Sequence, residues 1–287
     1  MKRSAFLALA GAGLLAGGTR AQSGGTMDKR KIPSSGEMLP AVGLGTWQTF
    51  DVGTSAAERA PRADVLKALF EAGGSVIDSS PMYGRSEGVA GDLLAEAGTR
   101  SKAFVATKVW TSGRDAGIAQ MQQSMRLLRT DAIDLMQIHN LLDWKTHLPT
   151  LRAWKKDGKL RYIGVTHYTA SAHDSLIDVL KAEKFDFMQV NYSIDDRNAE
   201  QRLLPFARDN GVAVLINLPF GGGGLLRKLA GRKLPDWAGE IGCASWAQVL
   251  LKYVLAHQAV TCVIPGTSRP EHMRDNAQAG QIGRAHV

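Results

Sequence analysis

Eight times along this chain a short, almost wholly apolar run is followed by a stretch whose apolar residues recur at helical spacing. Continuous apolar runs of this length read as strands buried on both faces. Amphipathic helices between them imply parallel strands with the helices packed outside. The runs are Ala41–Gly45, Ser75–Ile77, Phe104–Thr107, Leu135–Ile138, Tyr162–Val165, Phe187–Val190, Val212–Ile216 and Thr261–Ile264, mostly some 25 to 35 residues apart. Eight units favour an α/β chain closed into a single-domain (β/α)8 TIM barrel over an open doubly wound sheet. No G-x-G-x-x-G follows the first run, Val42-Gly43-Leu44-Gly45-Thr46, which also counts against the open sheet.

The segments between the runs fit that reading. A hairpin is expected around Ser34-Ser35-Gly36, ahead of the first barrel strand. Pro61 is expected to open the first helix, with Val65, Leu66, Leu69 and Phe70 on one face and a stop at Gly73-Gly74. Ile118, Met121, Met125 and Leu128 form another stripe, and Trp246, Val249, Leu250 and Val254 a strong one. A longer connection passes through Gly221 to Gly224, and Pro270 starts the last helix.

The two ends read differently from the rest. Lys2-Arg3 precede an apolar stretch from Ala5 to Ala16, and Thr19-Arg20-Ala21 is a small-x-small cleavage pattern. Residues 1–23 are therefore expected to be a signal peptide, too short to span a bilayer comfortably. The leader resembles the twin-arginine type, with Lys2 in place of the first arginine. A folded protein that loads a nucleotide in the cytosol needs that kind of export, so a periplasmic or secreted location is expected, without membrane insertion once the leader is removed. Residues 282–287, Ile-Gly-Arg-Ala-His-Val, read like a translated sequencing adapter and are expected to be a non-native tail. That leaves 27–281 for the barrel.

The formal charge is +8, and Lys2, Arg3 and Arg20 of the leader contribute to it. No block of Lys and Arg with interleaved aromatics stands out, so the excess favours small anionic ligands over nucleic acid. The two cysteines, Cys243 and Cys262, lack metal-type spacing and read as unpaired core thiols. No paired carboxylates or metal-ligand cluster sits at the strand tips, so no metal site is expected.

What does sit there is an unusual set of ionisable groups. The second run ends in Asp78, the third leads into Lys108, the fourth into His139, and Tyr83 lies in the loop after Asp78. Each has a plainer reading alone: a turn cap for Asp78, a surface lysine, rim packing for Tyr83, a satisfied core histidine. In a barrel they share the C-terminal end of three consecutive strands, about 4.8 Å apart, where active sites form.

At these residues the chain resembles the aldo-keto reductases. The resemblance rests on Gly43-Leu44-Gly45-Thr46-Trp47, on Asp78 with Tyr83 five residues on, on Lys108 in A-T-K-V-W, on His139 in Q-I-H-N, and on Ile264-Pro265-Gly266-Thr267. It runs from about Lys31 to Ala279. It implies a barrel that reduces aldehydes and ketones with NADPH, NADH being the lesser candidate, and without metal. Asp78, Tyr83, Lys108 and His139 would be the catalytic tetrad. Carbonyl reduction by hydride builds negative charge on oxygen and needs a proton donor, and a free tyrosine, with a pKa of about 10, is poor at this near neutrality. An ammonium about 4 Å away interacts with the phenolate by about 4 kcal/mol at an effective dielectric of 20. Lys108 is thus expected to lower the Tyr83 pKa, Asp78 to hold the lysine, and His139 to orient the carbonyl. Thr46, Thr166, His167, Gln189, Asn217, Pro219, Gly221, Gly266, Thr267, Arg269, His272 and Asn276 would contact the cofactor. Gln189 would meet the carboxamide, Arg269 and His272 the adenosine phosphate, and Asn276 the adenine. Trp47 and Trp110 would line the pocket of a small carbonyl substrate.

The chain departs from the family at three of these positions. His167 replaces the usual Asn after the fifth strand, Asn217 replaces the aromatic that stacks on nicotinamide, and Gly266 replaces a lysine. A second reading is a nucleotide-binding redox sensor or scaffold of the same fold with little turnover. The oligomeric state is left open.

Overall fold

A computed structural model describes residues 26–281. The expected leader, 1–23, and tail, 282–287, lie outside the described residues. Strands β1 (Lys29–Lys31) and β2 (Met38–Pro40) form the antiparallel hairpin expected around Gly36. Eight parallel strands follow in one sheet: β3 (Leu44–Gly45), β4 (Val76–Asp78), β5 (Phe104–Val109), β6 (Ile133–Ile138), β7 (Leu160–Thr166), β8 (Phe187–Asn191), β9 (Ala213–Asn217) and β10 (Val260–Val263). They lie side by side in chain order. The seam between β10 and β3 is closed by Gly43 N–H donating to Val263 O at 2.8 Å and Gly45 N–H to Pro265 O at 3.2 Å. The backbones approach so closely here that a Cβ on Gly45 would stand 2.8 Å from the Ile264 carbonyl. The first strand is shorter than the expected Ala41–Gly45, because its upstream half pairs only by the isolated Val42–Val263 bridge.

The helices are α1 (Ala56–Glu71), α2 (Ser86–Glu96), α3 (Arg114–Leu127), α4 (Trp144–Lys156), α5 (His173–Ala182), α6 (Leu203–Asp209), α7 (Gly224–Leu229), α8 (Trp237–Glu240), α9 (Trp246–Ala256) and α10 (Pro270–Gln278). The expectation that Pro61 opens the first helix is corrected. Helix α1 begins at Ala56 because Ser55 and Glu58 form a capping box: Glu58 N–H donates to Ser55 Oγ at 3.3 Å, and Ser55 Oγ to Glu58 Oε2 at 2.6 Å. Pro61 is tolerated inside because the carbonyl it leaves free, on exposed Ala57, faces water. The long connection after β9 contains α7 and α8.

Alternation along the strands sorts the core into two layers. Phe104, Ala106, Leu135, Tyr162, Phe187, Ala213, Leu215 and Cys262 pack together inside the barrel, with Ile32 and Leu39 of the hairpin closing its lower end. Val105, Val109, Met136, Ile138, Val165, Met188, Val190 and Ile216 pack outward against the helices. The inward positions at the upper end are polar: Asp78 two residues above Val76, Lys108 above Ala106, Gln137 above Leu135, Gln189 above Phe187 and Asn217 above Leu215. Both cysteines are buried and unpaired. Among the described residues no helix is long and apolar enough to cross a membrane.

Candidate active site

The polar group begins at the β4 tip. Thr46 N–H and its hydroxyl both donate to the Asp78 carbonyl at 3.0 Å, which fixes the peptide from which the carboxylate projects. The Lys108 ammonium donates to Asp78 Oδ2 at 2.7 Å and to the Ser79 carbonyl at 2.7 Å. It has no solvent exposure. The second carboxylate oxygen, Oδ1, accepts the side-chain N–H groups of Gln137 at 3.1 Å and Gln189 at 2.8 Å. Taking an ion pair out of water is costly unless its remaining polar valences are filled. The two glutamine amides fill them. Although burial opposes the charge, Asp78 and Tyr83 hold the Lys108 ammonium above the ordinary lysine range.

Tyr83 reaches the same point from the loop before α2. Its ring centroid is 4.9 Å from Lys108 Nζ and 6.1 Å from the His139 ring, which it meets edge-on at 84°. The loop turns at Gly84, with φ +61°, and is held by Arg85 N–H donating to Asp51 Oδ1 at 3.0 Å. A Cβ on Gly84 would stand 2.4 Å from the Asp51 carboxylate, so the turn accepts only glycine here.

One electrostatic expectation is corrected. Lys108 does draw the Tyr83 phenol down, but burial pushes it up by more, and the nearby Asp78 adds to the rise. Tyr83 therefore lies above the ordinary tyrosine range and is fully protonated at neutral pH. Desolvation is the larger effect here, and Asp78 offsets part of the pull of Lys108.

His139 directly follows β6 and is buried. Its Nδ1 lies 3.1 Å from Ser80 Oγ, which also receives Met82 N–H at 3.4 Å. The Ser80 hydroxyl can give its own proton to Nδ1, and in that tautomer the imidazole proton resides on Nε2. Burial first, then the Lys108 and His167 charges, push the His139 pKa down to about 3, so the ring is neutral at physiological pH. The aromatic ring of Trp110 lies 6.4 Å from it. Trp110 and Trp47, which follow β5 and β3, are each about half exposed, at 41% and 48%.

The residues expected at a cofactor divide by strand. Thr166 is buried at the top of β7, and its Oγ1 accepts Asn140 N–H at 3.3 Å. His167 follows it and stacks on Tyr168, with centroids 5.6 Å apart. Asn217 ends β9, and its Nδ2 donates to the His167 carbonyl at 3.2 Å. The Asn217 Oδ1 is buried without a partner. After Pro219, Gly221, Gly222 and Gly223 all take left-handed φ, +56°, +62° and +83°, and a Cβ on Gly222 would meet nothing within 4 Å. Gly266 sits at the seam, where a Cβ would come 3.1 Å from the Gly45 carbonyl. Thr267 Oγ1 accepts Arg269 N–H at 3.1 Å, ahead of α10. Arg269 and His272 are exposed and Asn276 is buried in α10. A nucleotide fits this set: an orphan buried acceptor next to Gln189, a glycine turn open at Gly222, and an exposed arginine at the start of α10.

Several residues in the site gave no sequence signal. Ser80 and Gln137 act through the groups beside them. Gln120 clasps the Trp110 backbone, accepting its N–H and donating to its carbonyl at 3.1 Å. The Arg227 guanidinium lies against the glycine turn, 3.1 Å from where a Gly223 Cβ would be. A cation one helical turn past a run of glycines is the one signal that could have marked it.

Comparison with known proteins agrees with the geometry. The model of the aldo/keto reductase family matches residues 41–284. Methylglyoxal reductase YeaE of Escherichia coli K12 is 32% identical over 268 residues, covering 89% of this chain and 91% of that protein. L-glyceraldehyde 3-phosphate reductase of the same organism is 26% identical, covering 89% and 88%. Among solved structures, an aldo-keto reductase from Klebsiella pneumoniae in complex with NADPH superposes with a TM-score of 0.77 at 26% identity, covering 91% of this chain and 92% of that one.

Proposed function

Since this chain belongs to the aldo/keto reductase family, we propose that it reduces an aldehyde or ketone to an alcohol with NADPH, and that Tyr83 delivers the proton. An NAD(P)H-dependent oxidoreductase acting on carbonyls is what the family and its reductase relatives make it. The finer reading rests on one observation: the Lys108 ammonium lies 2.7 Å from the Asp78 carboxylate and 4.9 Å from the Tyr83 ring, with His139 on the ring's edge.

NADPH supplies the hydride when bound; Gln189, Asn217, the Gly221–Gly223 turn and Arg269 are the residues that would hold it. The chain's own residues do the rest. The carbonyl oxygen is received between Tyr83 Oη and His139 Nε2, both of which carry a proton. His139 stays neutral and orients that oxygen through its N–H. As negative charge grows on the oxygen, the Tyr83 phenol gives up its proton. An alkoxide is far more basic than a phenolate, so a phenol above its ordinary pKa is still a competent acid, and it stays loaded at neutral pH. Lys108 balances the phenolate left behind, and Asp78 keeps the ammonium in place.

The E. coli relative makes methylglyoxal the first substrate to test. In the Tyr83→Phe variant turnover of methylglyoxal with NADPH is expected to disappear while the NADPH dissociation constant is unchanged. Undiminished turnover in that variant would overturn the assignment. Tight NADPH binding by the unmodified protein, with no turnover across a panel of aldehydes, would favour a nucleotide sensor instead.

A further inference from the structure

The residues that face one another across the tops of β7, β8 and β9 are unusual in a way that the tetrad does not use. Asn217 stands where the family's stacking ring would be, and its amide has a fixed orientation. Nδ2 donates to the His167 carbonyl at 3.2 Å and lies 3.5 Å from Gln189 Oε1. A backbone carbonyl only accepts, so the nitrogen must face it and Oδ1 must face the other way. That oxygen is buried and has no donor. Buried acceptors almost always have partners, and one left without a partner marks a place where a donor arrives.

Gln189 is oriented by the same logic. Its Nε2 donates to Asp78 Oδ1 at 2.8 Å, which leaves Oε1 facing the Asn217 Nδ2 at 3.5 Å. Asn217 Oδ1, turned away from both neighbours, is the acceptor left for a ligand N–H. Phosphate has no such donor; a primary carboxamide has one to spare and carries a carbonyl oxygen on the same carbon. His167 supplies the converse group. Its Nδ1 accepts Tyr168 N–H at 3.0 Å, which leaves the ring proton on Nε2 for a carbonyl oxygen.

We propose that Asn217 Oδ1 accepts an N–H of the nicotinamide carboxamide, so that a hydrogen bond here orients the nicotinamide in place of a stacked ring. The inference rests on the nucleotide-binding reading above. It also couples two departures from the family, at His167 and Asn217, which touch each other through the Nδ2–carbonyl bond.

The test compares NADP+ with its 3-acetylpyridine analogue, in which a methyl group replaces the carboxamide NH2. Isothermal titration calorimetry on the unmodified full chain and on Asn217→Ala and Asn217→Leu gives the dissociation constants. The unmodified protein should bind NADP+ more tightly than the analogue. In either variant that ratio should shrink by about tenfold, the worth of one hydrogen bond, through weaker NADP+ binding with the analogue unchanged. An unchanged ratio in a folded variant overturns the proposal. So does an unmodified protein that binds both nucleotides equally, a result that needs no variant to fold. If the unmodified protein binds neither, the nucleotide reading itself has failed, and the inference falls with it.

Discussion

The Thr107 hydroxyl donates to the Glu87 carboxylate, and this buried contact joins the two segments that carry Tyr83 and Lys108. Glu87 lies four residues past Tyr83 in α2, and Thr107 is the residue before Lys108 in β5. Ser124 Oγ of α3 donates to the other carboxylate oxygen at 3.1 Å. Burial holds the Glu87 carboxyl above the ordinary glutamate range, against the pull of the two hydroxyls and of Lys108. A raised folded-state pKa means that its contribution to stability is complete below the unfolded value of 4.5 and is lost as the pH rises through the folded value. Glu87→Gln removes that loss. Thermal melts should show the variant gaining on the unmodified protein between pH 4 and pH 8. A difference in melting temperature that does not vary with pH would contradict the assignment.

The Asp78–Lys108 pair yields a second prediction. Asp78→Asn leaves a fully buried ammonium without its counter-ion. Removing one member of a buried pair costs about 3–5 kcal/mol. Urea unfolding should show a loss of that size, accompanied by a fall in turnover of about 10²- to 10⁴-fold, the usual worth of a positioned proton donor. Full stability in Asp78→Asn would mean that Lys108 is neutral in the fold.

His139 provides a third. With its pKa pushed down to about 3, against an ordinary value of 6.5, the ring is neutral across the physiological range. A depressed folded-state pKa contributes stability above about 6.5, and this is lost as the pH falls toward 3. Nuclear magnetic resonance of ring-labelled histidine should find this imidazole neutral, with its proton on Nε2, from pH 8 down to pH 5. A titration midpoint near 6.5 would refute the burial argument. Ser80→Ala should release the tautomer and lower turnover without affecting nucleotide binding.

A fourth prediction concerns the lower end of the barrel. Arg30 of the hairpin donates to the Leu255 carbonyl at 2.5 Å and the Val260 carbonyl at 2.6 Å, the last turn of α9 and the start of β10. Hydrogen bonds from a charged donor are worth about 1.5–3 kcal/mol each. Arg30→Ala should cost about 2–4 kcal/mol in urea unfolding, after water replaces part of the loss, and leave the Michaelis constant unchanged. A raised Michaelis constant would show that the hairpin acts on the mouth from below.

The architecture was legible because each barrel strand is buried on both faces and reads as an unbroken apolar run, whatever its neighbours. The tetrad was legible because Asp78, Lys108 and His139 interrupt those runs at their ends. Pro61 misled because a proline is a louder local signal than the Ser55–Glu58 box that starts α1. The Tyr83 shift was misjudged for a different reason: sequence places Lys108 beside it but says nothing of how much water the fold removes. Glu87, Ser80 and Gln137 were silent because their roles lie in contacts with residues 20 to 59 positions away. Each looks ordinary in its own segment. The leader, the tail and the export route concern residues beyond those the structure describes.

The inward parity shared by Phe104, Ala106 and Lys108 has a further consequence. Deleting Val105 or Ala106 would swing the ammonium out among the helices, bringing Thr107 into the place of Ala106 and Val109 into that of Lys108. The ammonium is the uppermost rung of the ladder whose lower rungs are the hydrophobic filling. Changes to the rim loops can therefore leave this ladder intact, whereas a frame slip in β5 would displace the buried ion pair and the packing beneath it in one stroke.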